Sequence, residues 1–197
     1  MIVHDWGLVP YEEARERMEA VHARAVADGR HHLIFCEHPP VFTVGSDAEN
    51  DWPVPTVATD RGGSITCHAP GQAVAYFCFQ AARPALFYRR VVRAYDAFFA
   101  DAALPARYDL RRPGWYLENR RKIASLGFRY RRGVSLHGVA LNVDVDLTFC
   151  NRVAPCALEG VRATSLRAEG VRLSMEAVRK SLLDKISASF REEAVPS

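Results

Sequence analysis

The spacing of apolar residues predicts three helices in the chain. Apolar residues three and four positions apart predict a helix over 11–28, which Gly29 is placed to end. A second helix is predicted to begin at Pro84, and a third after Ser174, which can cap it. The inward-facing residues of the three helices are Ala14, Met18, Val21 and Ala25; Phe87, Val91, Tyr95, Phe98 and Ala102; and Met175, Val178, Leu182, Ile186 and Phe190.

Short apolar runs between these helices predict β-strands. The predicted strands are 32–37, 41–44, 56–59, a short strand after Gly63, 73–79, 114–117, 122–130 and 134–143. We expect loops at 45–55 and at 144–165, the second with one short helical turn. Strands and helices do not alternate regularly, so the pattern favours an α+β fold with a mixed β-sheet and flanking helices. No break in composition marks a boundary, and we interpret residues 1–197 as a single domain.

Composition and length fit a soluble protein of this kind. The 197 residues are 49% hydrophobic and 25% charged, which is ordinary for one compact domain. The apolar run at 73–79 is far too short to span a bilayer. The first residues lack the basic start and the long apolar stretch of a secretory signal. We therefore expect a cytoplasmic protein with no membrane partner.

The cysteines are five in number and none belongs to a C-x-x-C pair. They are Cys36, Cys67, Cys78, Cys150 and Cys156. An odd number without paired spacing argues against a disulfide framework and against a structural zinc site. We expect free thiols, and most free cysteines in proteins are packed as small apolar residues.

Basic residues concentrate in one part of the chain. The net charge is +3, and nine lysines and arginines lie between positions 107 and 132, opposed only by Asp109 and Glu118. Such a cluster favours an acidic partner and speeds its encounter. Charge alone is equally compatible with a solvated arginine-rich face. Since nothing else in the sequence indicates nucleic-acid binding, we expect no nucleic-acid partner.

Several common catalytic motifs are missing from the sequence. There is no G-x-x-x-x-G-K-[ST] phosphate loop and no G-x-G-x-x-G dinucleotide motif. There is also no G-x-S-x-G elbow and no H-E-x-x-H metal motif. We therefore expect neither a cofactor nor a metal.

Polar residues interrupt the predicted strands at four places. Arg61-Gly62-Gly63 begins one strand, His68 follows it within HAPGQ, Lys122 begins another, and His137 lies in an apolar strand beside Gly138, which leaves room next to it. The last three have simple structural interpretations: a turn histidine, a lysine that reaches solvent from a strand end, and a core histidine with a partner. Together with a thiol, they supply the groups that covalent acyl transfer needs.

These residues and Cys156 all lie in five segments of the sequence. They read CEHPPVFTVG, DRGGSITCHAPGQ, RRKIASLG, SLHGVALNV and RVAPCALEGVRATSL, and they lie in this order over about 37–166. This stretch resembles the octanoyltransferase family of lipoate biosynthesis, the lipoyl(octanoyl) transferases. The resemblance implies the fold of the biotin/lipoate protein ligase catalytic domain and no cofactor.

The resemblance also implies a reaction. It would move an octanoyl group from acyl carrier protein to a lysine of a lipoyl domain, in 2-oxoacid dehydrogenases or the glycine-cleavage H protein. Cys156 matches the nucleophile that carries the thioester, and Lys122 matches its partner, so we expect their amine and sulfur to lie in contact. The implied substrate-binding residues are Arg61, Gly62, Gly63, Ser64, Ile65, Thr66, Cys67, His68, Ser125, Leu126, Gly127, His137, Gly138 and Val139.

The sequence departs from the family pattern at three places. Ala157 stands where the family has glycine after the nucleophile, and Cys67 stands where it has tyrosine. The loop at 46–55 is shorter than usual. An alanine in a left-handed conformation costs about 1–2 kcal/mol of strain. These changes bear on acyl-chain length and carrier recognition and leave both catalytic candidates present.

Two other functions fit the same fold. One is a catalytically weak module that binds acylated or lipoylated domains without turnover, which Ala157 and Cys67 would accompany. The other is an ATP-dependent lipoate or biotin ligase, against which the missing phosphate loop and the PC segment count.

Overall fold

The structure is a computed structural model that describes residues 1–47, 52–153 and 160–191. The strands are β1 (Ile2–Leu8), β2 (His32–Glu37), β3 (Val41–Val44), β4 (Thr56–Ala58), β5 (Ile65–His68), β6 (Gln72–Cys78), β7 (Arg107–Asp109), β8 (Gly114–Leu117), β9 (Arg121–Arg131), β10 (Val134–Asn142) and β11 (Arg162–Ala163). The helices are α1 (Tyr11–Asp28), α2 (Pro84–Asp101), α3 (Leu147–Cys150) and α4 (Met175–Arg191), with a 3₁₀ turn at Glu118–Arg120.

The strands form one large and one small sheet within the described ranges. The large sheet runs β1-β2-β6-β10-β9-β8-β7, and β11 pairs with β9 off this path. The β1–β2 and β9–β11 pairs are parallel, and the other pairs of this sheet are antiparallel. The small sheet runs β4-β3-β5. The predicted α+β fold with a mixed sheet is therefore confirmed.

Both faces of the large sheet are covered by helices. Along β6, Ala73, Ala75 and Phe77 face the core formed with α2 and α4, whereas Val74 and Tyr76 face the core formed with α1. This alternation follows from the two-residue period of a strand. Because both faces are buried, β6 is apolar along almost its whole length, which explains the uninterrupted apolar run in the sequence.

The three predicted helices are confirmed, with their signals. Gly29 ends α1 with φ +67° and donates its N–H to Ala25 O. Ser174 precedes α4 and its hydroxyl accepts from the N–H of Ala177 at 3.1 Å. Ala102 is the exception in the predicted stripe, because it follows the last residue of α2 and is only partly buried, while Phe99 is buried. No helix in the described parts of the chain is long and apolar enough to cross a membrane.

Three strands were not predicted from the sequence. The strand β1 has an irregular burial pattern, and among the described strands it pairs with β2 alone; Leu8 on it is exposed. The strand β7 has three residues, and β11 has two, inside a segment predicted to be a loop. Such short or edge strands form because a long-range partner is available, which local sequence does not record.

Candidate active site

Lys122 is buried inside the sheet near the start of β9. It is 2% exposed, so the interpretation as a strand-end lysine that reaches solvent is wrong. Its Nζ donates to the carbonyl oxygen of Pro113 at 3.3 Å and lies 5.3 Å from the centre of the Tyr116 ring. Both contacts favour a cation, since a carbonyl dipole and an aromatic face are each attractive to an ammonium.

Gly114 on β8 provides the space for the lysine side chain. A Cβ atom at Gly114 would lie 2.7 Å from Lys122 Cε and 2.4 Å from the carbonyl oxygen of Ala124. The backbone there has φ +151°. Register shifts between Trp115 and Tyr116 where β8 pairs with β9. The position therefore requires glycine for both its conformation and its close contacts.

Lys122 lines a pocket with about 410 Å³ of empty space. The other lining residues are Phe42, Ile65, Thr66, Cys67, Gln72, Ser125, Asn142, Cys150, Val153 and Ala163. Residues from β3, β5, β6, β9, β10 and β11 thus meet here, where the small sheet faces the large one. Of the residues predicted for the site, this pocket brings together Lys122, Ile65, Thr66, Cys67 and Ser125.

A second pocket, with about 350 Å³ of empty space, adjoins the first and shares Thr66 and Ser125 with it. Its other lining residues are Tyr11, Arg61, His68, Val74, Tyr76, Leu126, Gly127, His137, Gly138, Val139 and Ala140. The three separate sequence segments proposed for substrate binding therefore converge on one continuous region. Its lining contains apolar groups beside a few polar ones, as is usual for small-molecule sites.

Gly62, Gly63 and Ser64 are predicted site residues that line neither pocket. The N–H of Gly62 donates to Phe128 O at 3.1 Å, and that of Gly63 donates to an Asp47 carboxylate oxygen at 2.6 Å. A Cβ at Gly127 would lie 2.6 Å from the carbonyl oxygen of Gly62. These glycines thus pack the 61–64 segment closely against β9, and they position Arg61.

His137 has a backbone conformation rare for its residue type. Its φ is +63° in the middle of β10, and its Nε2 lies 2.7 Å from the Asp60 carboxylate. The hydrogen bond with His137 lowers the pKa of Asp60 to about 2. Gly138 is needed for a different reason from the one predicted: a Cβ there would lie 1.9 Å from the carbonyl oxygen of Ala75, so it allows β6 and β10 to pair. Left-handed strand residues are typical of functional sites.

His68 is buried in the wall of the second pocket. Its Nδ1 lies 2.7 Å from Gln72 Oε1 and its Nε2 3.3 Å from Thr43 Oγ1. The ring stacks on Tyr11 at 5.7 Å. Burial, followed by the charge of His38, lowers its pKa well below 6.5, so the ring is neutral near pH 7. His68 is therefore more than a turn histidine, because it bonds across to β3 as well as locally.

Cys67 and Cys150 form a disulfide, so the expectation of free thiols was wrong for this pair. They are 83 positions apart and lie on β5 and α3, with Cα atoms separated by 5.3 Å. Spacing in sequence gave no signal, because only the fold brings the two positions together. Both cysteines line the pocket that contains Lys122. Cys36 and Cys78 are free and buried, as expected.

Three predictions fall wholly or partly outside the described residues. Cys156 and Ala157 lie in 154–159, and part of the short loop at 46–55 lies in 48–51. The contact between the Cys156 thiol and the Lys122 amine therefore stays a prediction.

Sequence reasoning missed two polar residues, Gln72 and Asn142, of the pocket that Lys122 lines, which we call the lysine pocket. Both lie at the ends of paired strands, where they are opposite each other, and both are buried. A signal was present, since each is an amide that adjoins an apolar run in HAPGQAVAYF and VALNV. A buried amide needs partners, which marks it for attention.

Comparison with known proteins gives the family. The model of the lipoyl protein ligase A/B catalytic domain matches residues 10–187. An octanoyltransferase of Cellvibrio japonicus is 41% identical over 170 residues, covering 82% of this chain and 79% of the relative. An octanoyltransferase of Chromobacterium violaceum is 37% identical over 193 residues, covering 92% of each chain.

A solved structure shows the same fold at lower identity. The bi-partite lipoate protein ligase of Thermoplasma acidophilum, described with its E2 lipoyl domain, superimposes with a TM-score of 0.65 at 17% identity. The match covers 96% of this chain and 83% of that one. The chain therefore belongs to the lipoyl protein ligase A/B catalytic domain family, and to the octanoyltransferases within it.

Proposed function

We propose that the chain transfers an octanoyl group from acyl carrier protein, through a thioester on Cys156, to a lysine amine of a lipoyl domain. The acceptors would be lipoyl domains of 2-oxoacid dehydrogenases or the glycine-cleavage H protein, and the reaction would take place in the cytoplasm. The observation that carries the proposal is the buried Lys122 amine in a pocket that continues into a second, largely apolar one. The octanoyltransferase relatives support the same reaction.

The first step needs a thiolate. A free thiol has a pKa near ~8.5, so about 3% is ionised at pH 7. A nearby lysine ammonium that lowered this pKa by ~1.5 units would raise the fraction to about half. The Cys156 thiolate attacks the thioester carbonyl of the carrier, the carrier's carbon–sulfur bond breaks, and the carrier leaves as a thiol with the proton that the Lys122 ammonium gives up. One thioester replaces another, so the free energy changes little.

The second step forms an amide. The lysine amine of the acceptor attacks the Cys156 thioester, the carbon–sulfur bond breaks, and Cys156 leaves as the thiolate. Lys122, once neutral, is proposed to accept the proton that the attacking amine loses. An amide is more stable than a thioester, so the step runs downhill without ATP, in accordance with the missing phosphate loop.

The second pocket suits an alkyl chain. Val74, Leu126, Val139 and Ala140 line it, and burying methylene groups there contributes about 0.8 kcal/mol each. We assign the acyl-binding role to the predicted residues that line the two pockets, from Arg61 and Ile65–His68, Ser125–Gly127 and His137–Val139. Gly62, Gly63 and Ser64 would act by holding Arg61 in place.

The arginine-rich segment offers a surface for acidic partners. The exposed members are Arg107, Arg111, Arg120, Arg129, Arg131 and Arg132. Arg131 already pairs with Glu19, and the less exposed Arg121 pairs with Glu169 at 2.9 Å. The remaining cations can attract an acidic carrier protein or lipoyl domain, with the strong dependence on salt that such steering shows.

Choice of donor tests the proposal. The chain is incubated with a lipoyl domain and either octanoyl-loaded acyl carrier protein without ATP, or free octanoate with ATP, and the lipoyl domain is weighed by mass spectrometry. We expect one octanoyl group per lipoyl domain from the carrier alone. Product from octanoate and ATP would instead identify a ligase, and tight binding of the lipoyl domain without product would identify a binding module.

A further inference from the structure

We infer that Gln72 and Asn142 are positioning residues for Lys122. Their amides complete a network of hydrogen bonds that runs from Arg61 to Thr164, the residue whose N–H is bonded to the backbone carbonyl of Lys122. The inference rests on the proposed function, in which Lys122 is catalytic. Neither amide was predicted from the sequence, and both line the lysine pocket.

The first half of this hydrogen-bond network links the two pockets. The Arg61 guanidinium donates from Nη2 to Thr43 Oγ1 at 3.0 Å, and Thr43 Oγ1 lies 3.3 Å from His68 Nε2. His68 Nδ1 then lies 2.7 Å from Gln72 Oε1. Arg61, Thr43, His68 and Gln72 are all buried.

The second half runs along the floor of the lysine pocket. Gln72 Nε2 donates to Asn142 Oδ1 at 2.8 Å and to the carbonyl oxygen of Cys67 at 3.1 Å. Asn142 Nδ2 donates to the carbonyl oxygen of Thr164 at 2.8 Å. The hydrogen-bond network therefore ends on Thr164, the residue that follows β11.

The direction of every bond in the hydrogen-bond network is fixed from its ends. A guanidinium only donates, and the carbonyl oxygens of Cys67 and Thr164 only accept. Gln72 must therefore present Nε2 to Cys67 and Oε1 to His68, and Asn142 must present Nδ2 to Thr164. His68 then carries its proton on Nδ1 and accepts the Thr43 hydroxyl at Nε2, which is the neutral ring that burial favours.

Thr164 connects the hydrogen-bond network to Lys122. Its N–H donates to the carbonyl oxygen of Lys122 at 2.9 Å, and Ala163 is the partner of Lys122 in the parallel pairing of β11 with β9. The N–H of Leu166 donates to the backbone carbonyl of Asn142 at 2.9 Å. The segment from Ala163 to Leu166 is thus held between β9 and β10, and the Asn142 amide fixes its place beside the lysine.

Replacing an amide by a carboxylate interrupts the hydrogen-bond network without changing the size of the side chain. Asn142→Asp has no N–H for Thr164 and places an oxygen opposite its carbonyl, which is repulsive. The matched control is Gln80→Glu. Gln80 Nε2 also donates to a backbone carbonyl, that of Ala25 in α1, and Gln80 lies beyond the end of β6 that is far from Gln72. If Asn142→Asp does not fold, Gln72→Glu interrupts the same network one residue earlier.

Two readouts on the full chain test the inference. One is hydrogen exchange at the Thr164 amide, and the other is steady-state octanoyl transfer from the loaded carrier to a lipoyl domain. We expect Asn142→Asp to exchange the Thr164 amide roughly tenfold faster than Gln80→Glu does. We expect its kcat to fall roughly 10- to 100-fold while its KM for the carrier changes less than about threefold, as for a misplaced catalytic group.

The outcomes separate the inference from the proposed function. If Asn142→Asp matches Gln80→Glu in both exchange and kcat, Asn142 does not position the lysine and the inference is overturned. Equal losses of kcat in the two variants would likewise overturn it, since they would reflect general destabilisation. If the wild-type chain transfers no octanoyl group, the proposed function fails, while an unchanged Thr164 exchange rate would still refute the positioning contact.

Discussion

Gly114 and Lys122 lie on neighbouring strands so close together that a methyl group at position 114 would be 2.7 Å from the lysine Cε. The lysine side chain can therefore lie against β8 only because the residue there, Gly114, has no side chain. A conformation with φ +151° adds a second reason for glycine.

Gly114→Ala should consequently move the lysine. We expect its transfer rate to fall roughly 10- to 100-fold and its free energy of unfolding to fall by about 2–4 kcal/mol, from backbone strain and overpacking. The control is Gly133→Ala, because Gly133 has φ +75° and a Cβ there would meet nothing within 4 Å. It should lose only about 1–2 kcal/mol and keep its activity. Equal activities in the two variants would contradict the close contact.

Removing the amine separates stability from catalysis. Lys122→Met keeps the shape of the side chain but deletes the charged group, so transfer should fall roughly 10²- to 10⁴-fold. Stability should not decrease, since a buried ammonium is costly to desolvate. Lys185→Met is a suitable control, because Lys185 pairs with Asp101 on the helical side of the fold. Kinetics and chemical denaturation check both expectations; wild-type activity of Lys122→Met would refute a catalytic role for this lysine.

Much of the fold followed from local pattern. The apolar stripes and end signals of α1, α2 and α4 identified these helices, and continuous apolar runs identified β2, β6 and β10, because burial of a face is written directly into residue spacing. By contrast, β1 and β11 depend on a distant partner strand, and no local period reports such pairing.

The candidate site was predicted less evenly. Lys122, His68 and His137 stood out as polar residues in apolar strands, and the structure brings all three to the two pockets. The disulfide between Cys67 and Cys150 could not be predicted, since it depends on where β5 and α3 meet in space. The direction of the hydrogen-bond network through Gln72 and Asn142 likewise depends on three-dimensional contacts.

The neutral state of His68 predicts a dependence of stability on pH. Its pKa lies well below 6.5 in the folded chain, chiefly through burial, whereas an unfolded histidine titrates near ~6.5. Between these two values the unfolded chain binds a proton that the folded chain does not. The free energy of unfolding must therefore fall as pH drops below ~6.5, by up to ~1.4 kcal/mol per pH unit for this histidine.

Urea denaturation at pH 7.0 and at pH 5.5 measures this loss. Burial also lowers the pKa of His38, His4 and His31, which add to the loss in the wild type and in the variant alike. His68→Gln should lose less stability than the wild type over this interval, by about 1 kcal/mol. An identical loss in both proteins would mean that His68 is not held neutral.

The disulfide gives a prediction of its own. A bond between Cys67 and Cys150 closes a loop of 83 positions and should stabilise the oxidised chain by about 4 kcal/mol relative to the reduced one. Protein prepared without reductant should show no alkylation at these two positions after denaturation, and full alkylation after reduction. Denaturation of the two forms, with Cys150→Ser as the reference lacking the bond, measures the stabilisation. Alkylation of Cys67 in unreduced protein would refute the pairing.

Cys156 is the residue proposed to carry the acyl group. The most direct measurement is the intact mass of the chain after mixing with octanoyl-loaded acyl carrier protein, for the wild type, Cys156→Ser and Cys67→Ser. We predict one octanoyl group on the wild type and on Cys67→Ser, removable by hydroxylamine, and none on Cys156→Ser. No adduct on the wild type with a competent carrier, or an adduct that persists in Cys156→Ser, would contradict the account.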